Sequence, residues 1–227
     1  MVMHQVLVYG DSLTWGIIPG TRNRLPFHER WPGVLEAQLN ASAPSSSPVS
    51  GRQGGVRIIE DCLNGRRTVW EDPFKPGRNG LVGIGQRIEV NSPLSLVILM
   101  LGANDFQIAH PQNDAWMAGR GITALVEEIR RAPLEPGMNV PPILIISPPP
   151  IRAPRGEMAQ KFRGADQRCQ GLAQAFEEVA KALGCQFFDS ATVIRASDID
   201  GVHLDRDQHE KLGITIASVV RPILAQP

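Results

Sequence analysis

Six consecutive apolar residues, Leu96 to Leu101, constrain this chain more than any other stretch. A strand that is apolar on both faces must be covered on both faces, as in a parallel sheet between two layers of helices. The run is also far too short to cross a bilayer, which takes roughly 20 residues. It forms the end of a predicted central strand, Leu94–Leu101, and is followed at once by Gly102-Ala103-Asn104-Asp105. The same pattern, an apolar run and then a glycine turn, occurs twice earlier. Val6-Leu7-Val8-Tyr9 runs into Gly10-Asp11-Ser12, and Val56–Leu63 runs into Asn64-Gly65-Arg66-Arg67.

Between and after these strands, apolar residues recur at helical spacing. Helices are predicted over 30–39, 81–90, 114–131, 157–183 and from about 207 to 224, with Gly184 as a C-cap of the fourth. Pro142–Ser147 and Gln186–Phe188 read as the fourth and fifth strands. Alternating strands and helices specify an α/β fold, a three-layer α/β/α sandwich around a parallel five-stranded sheet. At 227 residues the chain is read as one domain, 1–227. The breaker-rich segment 42–55 reads as a surface excursion, not a linker, because too little chain precedes it to fold alone.

Basic and acidic residues balance at 23 each, so nothing in the net charge would attract nucleic acid or an anionic membrane. Met1–Gln5 runs straight into the first strand with no charged and apolar leader, which predicts no signal peptide and a cytoplasmic location. Three cysteines without a CxxC spacing argue against a disulfide framework or a zinc site. No histidine or acid pattern suggests any other metal, and no cofactor is expected.

In a doubly wound sheet the carboxyl ends of the strands share one edge, and that edge is where ligands bind. The topology therefore gathers Ser12, Gly65 and Asn104. Near the C-terminus comes Asp200-Gly201-Val202-His203. An acid three residues before a histidine can fold so that its carboxylate accepts from Nδ1–H, which leaves Nε2 free to take a proton from a serine. Asp11 and Asp105 are read as structural, capping or pairing with backbone and with Arg66 or Arg67. His209 is read as a surface residue paired with Asp205.

These blocks, Gly-Asp-Ser-Leu at 10–13, the glycine turn at Gly65, Gly-x-Asn-Asp at 102–105 and Asp-x-x-His at 200–203, resemble those of the SGNH (GDSL) hydrolases, in order and over nearly the whole chain. The segments 10–16 (GDSLTWG), 99–105 (LMLGAND), 147–150 (SPPP), 187–189 (FFD) and 200–204 (DGVHL) are most similar to bacterial arylesterases and acyltransferases. One block departs from the family pattern: Glu60-Asp61-Cys62-Leu63-Asn64-Gly65 keeps only the terminal glycine. The resemblance implies a flavodoxin-like fold and a serine carboxylester hydrolase. It implies Ser12 as nucleophile, His203 as general base and then acid, and Asp200 as its orienter. The N–H groups of Ser12 and Gly65 and the Asn104 amide are implied as the oxyanion hole, with glycine at 65 sparing the acyl oxygen a side chain.

Short acyl or aryl esters are the expected substrates, with acyl transfer, including transesterification or perhydrolysis, beside hydrolysis. A carbohydrate O-acetyl esterase and a non-catalytic ligand-binding module are the alternatives. Trp15, Ile17, Phe106, Ile108 and Ile151 are candidate walls of an apolar substrate pocket, and equally candidate core residues. The resemblance also implies a homo-oligomer.

Overall fold

The computed structural model describes residues 3–41 and 55–225; the excursion predicted at 42–55 therefore lies almost wholly outside the described residues. A five-stranded sheet forms the centre: β1 (His4–Gly10), β2 (Val56–Cys62), β3 (Leu96–Met100), β4 (Ile143–Ser147) and β5 (Gln186–Asp189). Their order is β2-β1-β3-β4-β5 and every pairing is parallel. The principal helices are α1 (Ser12–Trp15), α2 (Trp31–Ala41), α3 (Ile84–Asn91), α4 (Ala115–Arg130), α5 (Glu157–Lys161), α6 (Ala165–Arg168), α7 (Leu172–Leu183) and α8 (Arg206–Leu224). Among the described residues, no helix is long and apolar enough to cross a membrane.

Side chains alternate across a strand with period 2, so a strand buried on both faces feeds two cores. Leu7, Tyr9, Val97, Leu99 and Ile145 point into one, with Ile88 of α3, Ile122 and Leu125 of α4 and Phe176 of α7. Val6, Val8, Leu96, Ile98, Leu144 and Ile146 point into the other, with Trp31 and Leu35 of α2 and Leu212 and Ile216 of α8. Full burial of one such aliphatic side chain contributes roughly 1.5–3 kcal/mol before entropy is counted. An apolar run at β3 is therefore what the layered fold needs, since both alternating sets are enclosed.

Two expectations are corrected. The helix predicted over 157–183 is three helices, α5, α6 and α7, because Gly164 and Gly171, with left-handed φ of 71° and 80°, break the chain between them and stand as the N-caps of α6 and α7. Gly184 does cap α7 in the left-handed conformation. His209 is not at the surface. It lies fully buried on the inner face of α8, where its Nδ1 accepts from the Trp31 N–H at 3.3 Å. Burial, helped by the charges of Arg30 and His203, pushes its imidazole down to about 3.

Candidate active site

Because β2, β1 and β3 are adjacent and parallel, their carboxyl ends bring three turns side by side. After β1, Asp11 caps α1: its Oδ1 accepts from the Leu13 N–H at 2.9 Å, and Ser12 becomes the first residue of the helix. After β2, the Leu63 N–H donates to the Gly10 carbonyl at 3.1 Å, and the Arg66 N–H closes a turn on the Leu63 carbonyl at 2.9 Å. Gly65 occupies that turn at φ 82°, a conformation that costs a residue with a Cβ about 1–2 kcal/mol. Arg66 locks the two turns together, donating to the Gly10 and Asp61 carbonyls and pairing with the Asp61 carboxylate at 2.7 Å. After β3, the chain turns through Gly102 into a short 3-10 turn, Ala103–Phe106, that carries Asn104.

Ser12, Gly65, Asn104 and His203 line one small cleft, about 40 Å³, together with Ile17, Met158 and Phe162. Ser12, Asn104 and His203 are buried except for what faces this cleft. Neither the Ser12 nor the Gly65 backbone N–H donates to a backbone group among the described residues. A Cβ at position 65 would meet nothing closer than Arg78, at 4.0 Å, so it would stand in the open cleft. It is the left-handed backbone and the open side facing the cleft, not a clash with a neighbour, that makes position 65 a glycine site.

The fourth block is held by its own loop. His203 Nδ1 lies 2.7 Å from Asp200 Oδ2, and Asp200 Oδ1 accepts from the Val202 and His203 N–H groups at 2.9 Å. Burial pushes the Asp200 carboxyl up, but the hydrogen bond and charge of His203 and the two backbone N–H groups outweigh it and bring the group down to about 2. The loop is tied to segment 152–155 by the Arg152 N–H on the Gly201 carbonyl and the Arg155 N–H on the Asp200 carbonyl. Such a carboxylate fixes the imidazole with Nδ1 protonated. Nε2 can then accept a proton from a hydroxyl presented in the same cleft.

Asn104 is oriented by a buried chain of polar groups that spacing alone does not signal. Its Nδ2 donates to Asp11 Oδ2 at 2.8 Å, while its Oδ1 accepts from Gln107 Nε2 at 2.5 Å. Gln107 Oε1 in turn accepts from Arg67 Nη2 at 2.7 Å, and Arg67 also donates to the Asn104 and Glu71 carbonyls. One amide hydrogen of Asn104 is thereby committed and the amide is held in a single orientation, so the second hydrogen is available to the cleft. Burial pushes the Asp11 carboxyl up to about 6 against the hydrogen bonds from Leu13 and Asn104 and the charge of His203. Asp105 accepts from the Thr68 N–H and hydroxyl, at 2.9 and 2.5 Å. Burial pushes its carboxyl up to about 7 despite them. The two arginines take other acids than these: Arg66 takes Asp61 and Arg67 takes Asp72.

Of the candidate pocket walls, only Ile17 lines the cleft. Phe106 and Ile151 are core residues of the α4–α7 side, and the Trp15 ring lies under the Arg24 guanidinium at 4.6 Å. Ile108 lines a neighbouring cavity of about 240 Å³. The cleft is also not rimmed by apolar groups alone: Arg22, Lys75, Lys161 and Asp72 stand in it. Among the described residues, no group of three or more His, Cys, Asp or Glu side chains is arranged to hold a metal ion.

Residues 8–211 match the model of the GDSL-like lipase/acylhydrolase family. The chain belongs to this family. As a GDSL-like acylhydrolase it is a serine ester hydrolase, and its parallel sheet is the sheet of its structural neighbours. It superposes on the inhibitor-bound aryl esterase of M. smegmatis with a TM-score of 0.86, at 29% identity over 97% of this chain and 99% of that one. A carbohydrate acetylesterase family member from Sinorhizobium meliloti gives 0.87, at 34% identity over 99% of this chain and 100% of the other. A second carbohydrate acetylesterase from the same organism gives 0.86, at 28% identity, covering 97% and 99%. Comparison of this GDSL-like acylhydrolase with curated protein sequences gives no match.

Proposed function

We propose that this esterase cleaves short-chain acyl or aryl carboxylic esters through an acyl-enzyme at Ser12. The observation that carries the reading is the Asp200–His203 pair, 2.7 Å apart, whose imidazole shares a cleft with Ser12, Gly65 and Asn104. His203 takes the Ser12 proton as Oγ attacks the ester carbon. Asp200 stabilises the imidazolium, and the proton then goes to the leaving alcohol. Negative charge on the carbonyl oxygen falls to the Ser12 and Gly65 N–H groups and the Asn104 amide, each donor worth about 3–4 kcal/mol of barrier. Water approaching on the His203 side completes the cycle. An alcohol approaching the same way gives acyl transfer.

The cleft volume of about 40 Å³ supports a small acyl group. A larger cavity of about 260 Å³ shares His203, Arg22 and Met158 with the cleft, and offers room for a leaving group such as a phenol or a sugar. Likeness to carbohydrate acetylesterases supports deacetylation of a sugar as the second reading. Hydrolysis of p-nitrophenyl esters from acetate to octanoate, by wild type and Ser12→Ala, tests the proposal. Activity concentrated in the short esters and abolished in the variant is expected. Undiminished activity in Ser12→Ala overturns the assignment, and a preference for octanoate overturns the short-acyl reading.

A further inference from the structure

The charges in the cleft do not balance. Arg22, Lys75 and Lys161 line it beside one further acid, Asp72. Asp72 is already engaged: Oδ2 pairs with Arg67 at 3.2 Å, and Oδ1 accepts from the Phe74 and Lys75 N–H groups at 2.9 and 3.1 Å. Among the described residues, none of the three cations has a salt-bridge partner, whereas Arg24, Arg30, Arg66 and Arg67 nearby all do. Lys161 is the most telling. It is half-buried, its ammonium lies 5.7 Å from the Phe162 ring, and burial pushes its amine below the ordinary lysine range against the opposing charge of Asp72. A desolvated ammonium whose nearby carboxylate is already shared with Arg67 gains from a further anion.

The cations are also arranged along the cleft. His203 and Arg22 are shared with the 260 Å³ cavity, and Lys75 and Lys161 with the 240 Å³ cavity at the other end, beside Phe74 and Ile108. His203 must protonate the departing alcohol, so the alcohol leaves at its end. The acyl chain then extends the opposite way, over Ile108 towards the two lysines. Resting on the esterase reading above, we infer that the preferred acyl group carries a terminal carboxylate. The substrate class is a hemiester of a short dicarboxylic acid, its methylenes against Ile108 and its free carboxylate on Lys161 and Lys75. The chemistry is ordinary ester cleavage. Oγ of Ser12 bonds to the ester carbon, the C–O bond to the alcohol breaks, and the serine proton leaves with the alcohol through His203. Water then releases the dicarboxylate.

The test compares kcat/KM for monomethyl succinate and monomethyl glutarate with methyl butyrate and methyl valerate, followed by acid release in a pH-stat. The wild type is expected to favour a hemiester by about tenfold, the worth of one charge-assisted contact. Lys161→Met is expected to reduce that ratio by about the same factor. Raising the ionic strength from 20 mM to 0.5 M should reduce it in the wild type, a readout that survives misfolding of the variant. Equal or faster cleavage of the neutral esters by wild type overturns the inference while leaving the Ser12 reading intact, as does a ratio insensitive to both Lys161→Met and salt. Failure to cleave any of the esters, or cleavage that persists in Ser12→Ala, overturns both.

Discussion

Gln107→Glu is nearly isosteric, yet it should silence an oxyanion donor one residue removed. In the wild type the Asn104 amide has one orientation because its two ends meet opposite partners: Nδ2 donates to Asp11 and Oδ1 accepts from Gln107. A glutamate at 107 keeps an acceptor for Arg67 Nη2, now as an ion pair, but has no hydrogen to give to Asn104 Oδ1. The amide oxygen then faces a carboxylate whichever way it turns, Glu at one end or Asp11 at the other. Asn104, Gln107, Asp11 and Arg67 are all buried, so water does not relieve the conflict. The donor itself is worth roughly 3–4 kcal/mol, so kcat for p-nitrophenyl acetate should fall by about 10²–10³-fold, approaching Asn104→Ala, with KM little changed. Gln107→Leu removes the donor without adding repulsion. Asp11 still selects the orientation, and the loss of kcat should be only about tenfold, while the buried Asn104 oxygen left unpaired costs about 1–3 kcal/mol of stability; Arg67 keeps Asp72. Steady-state kinetics on variants whose melting is measured in parallel separates the two effects. A Gln107→Glu enzyme that folds and keeps kcat within about threefold of wild type would refute the argument, because the amide orientation would then not depend on residue 107.

Asp105 gives stability an acid-side preference. Its carboxyl holds a proton up to about 7 when folded, against a reference value of 3.8, so its contribution is complete below about 4 and is lost as pH rises through 7. His209, held down to about 3, works the other way across the same window, so the measure is the difference between proteins: from pH 5 to pH 8 the urea midpoint of wild type should change less favourably than that of Asp105→Asn, and equal slopes would contradict the assignment. Gly65→Ala should fold at a cost of about 1–2 kcal/mol, since φ is 82° and no neighbour obstructs the new methyl. Its kcat should drop far more than its melting temperature suggests, because the methyl stands in the cleft. Equal proportional losses in kcat and stability would show position 65 to be only a turn.

The sheet is legible because β1, β2 and β3 each carry a local mark, an apolar run closed by a glycine turn, and β4 is an apolar run closed by three prolines. The break in the long helix is not, and the reason lies in particular residues. Met158, Phe162, Ala165, Cys169, Leu172 and Phe176 follow one another at helical spacing and all face the same core. Gly164 and Gly171 interrupt the helix yet return the chain to the same face, so the apolar period passes over the breaks undisturbed. At His209 the reverse holds. Its four-residue spacing from Asp205 suggests a surface pair, but Leu212, Gly213 and Ile216 place it on the buried face of α8, and the Asp205 carboxylate instead accepts from the Ser197 hydroxyl. Here the period was the better guide.

The proposed reacting groups sit where strand ends and one short loop put them, and residue type at a turn is enough to suggest them. The groups that would select a substrate have a different origin. Arg22, Lys75 and Lys161 come from three segments far apart in sequence, and a lysine or arginine in a loop is ordinarily a solvated charge. Only the fold reveals that Asp72 is shared with Arg67 and that, among the described residues, none of the three cations has a salt-bridge partner. The backbone makes the arrangement more than a chance meeting of flexible side chains. The Ile108 N–H donates to the Lys161 carbonyl at 2.9 Å, which clamps the start of the acyl-side wall to the helix that carries the lysine. Ile108 follows Gln107 directly, so the segment that orients the oxyanion amide also sets the distance from the reacting carbon to the charged end of the cleft. Lengthening the acyl chain by one methylene should therefore change kcat/KM more for hemiesters than for neutral esters, because only the hemiester must satisfy both ends at once.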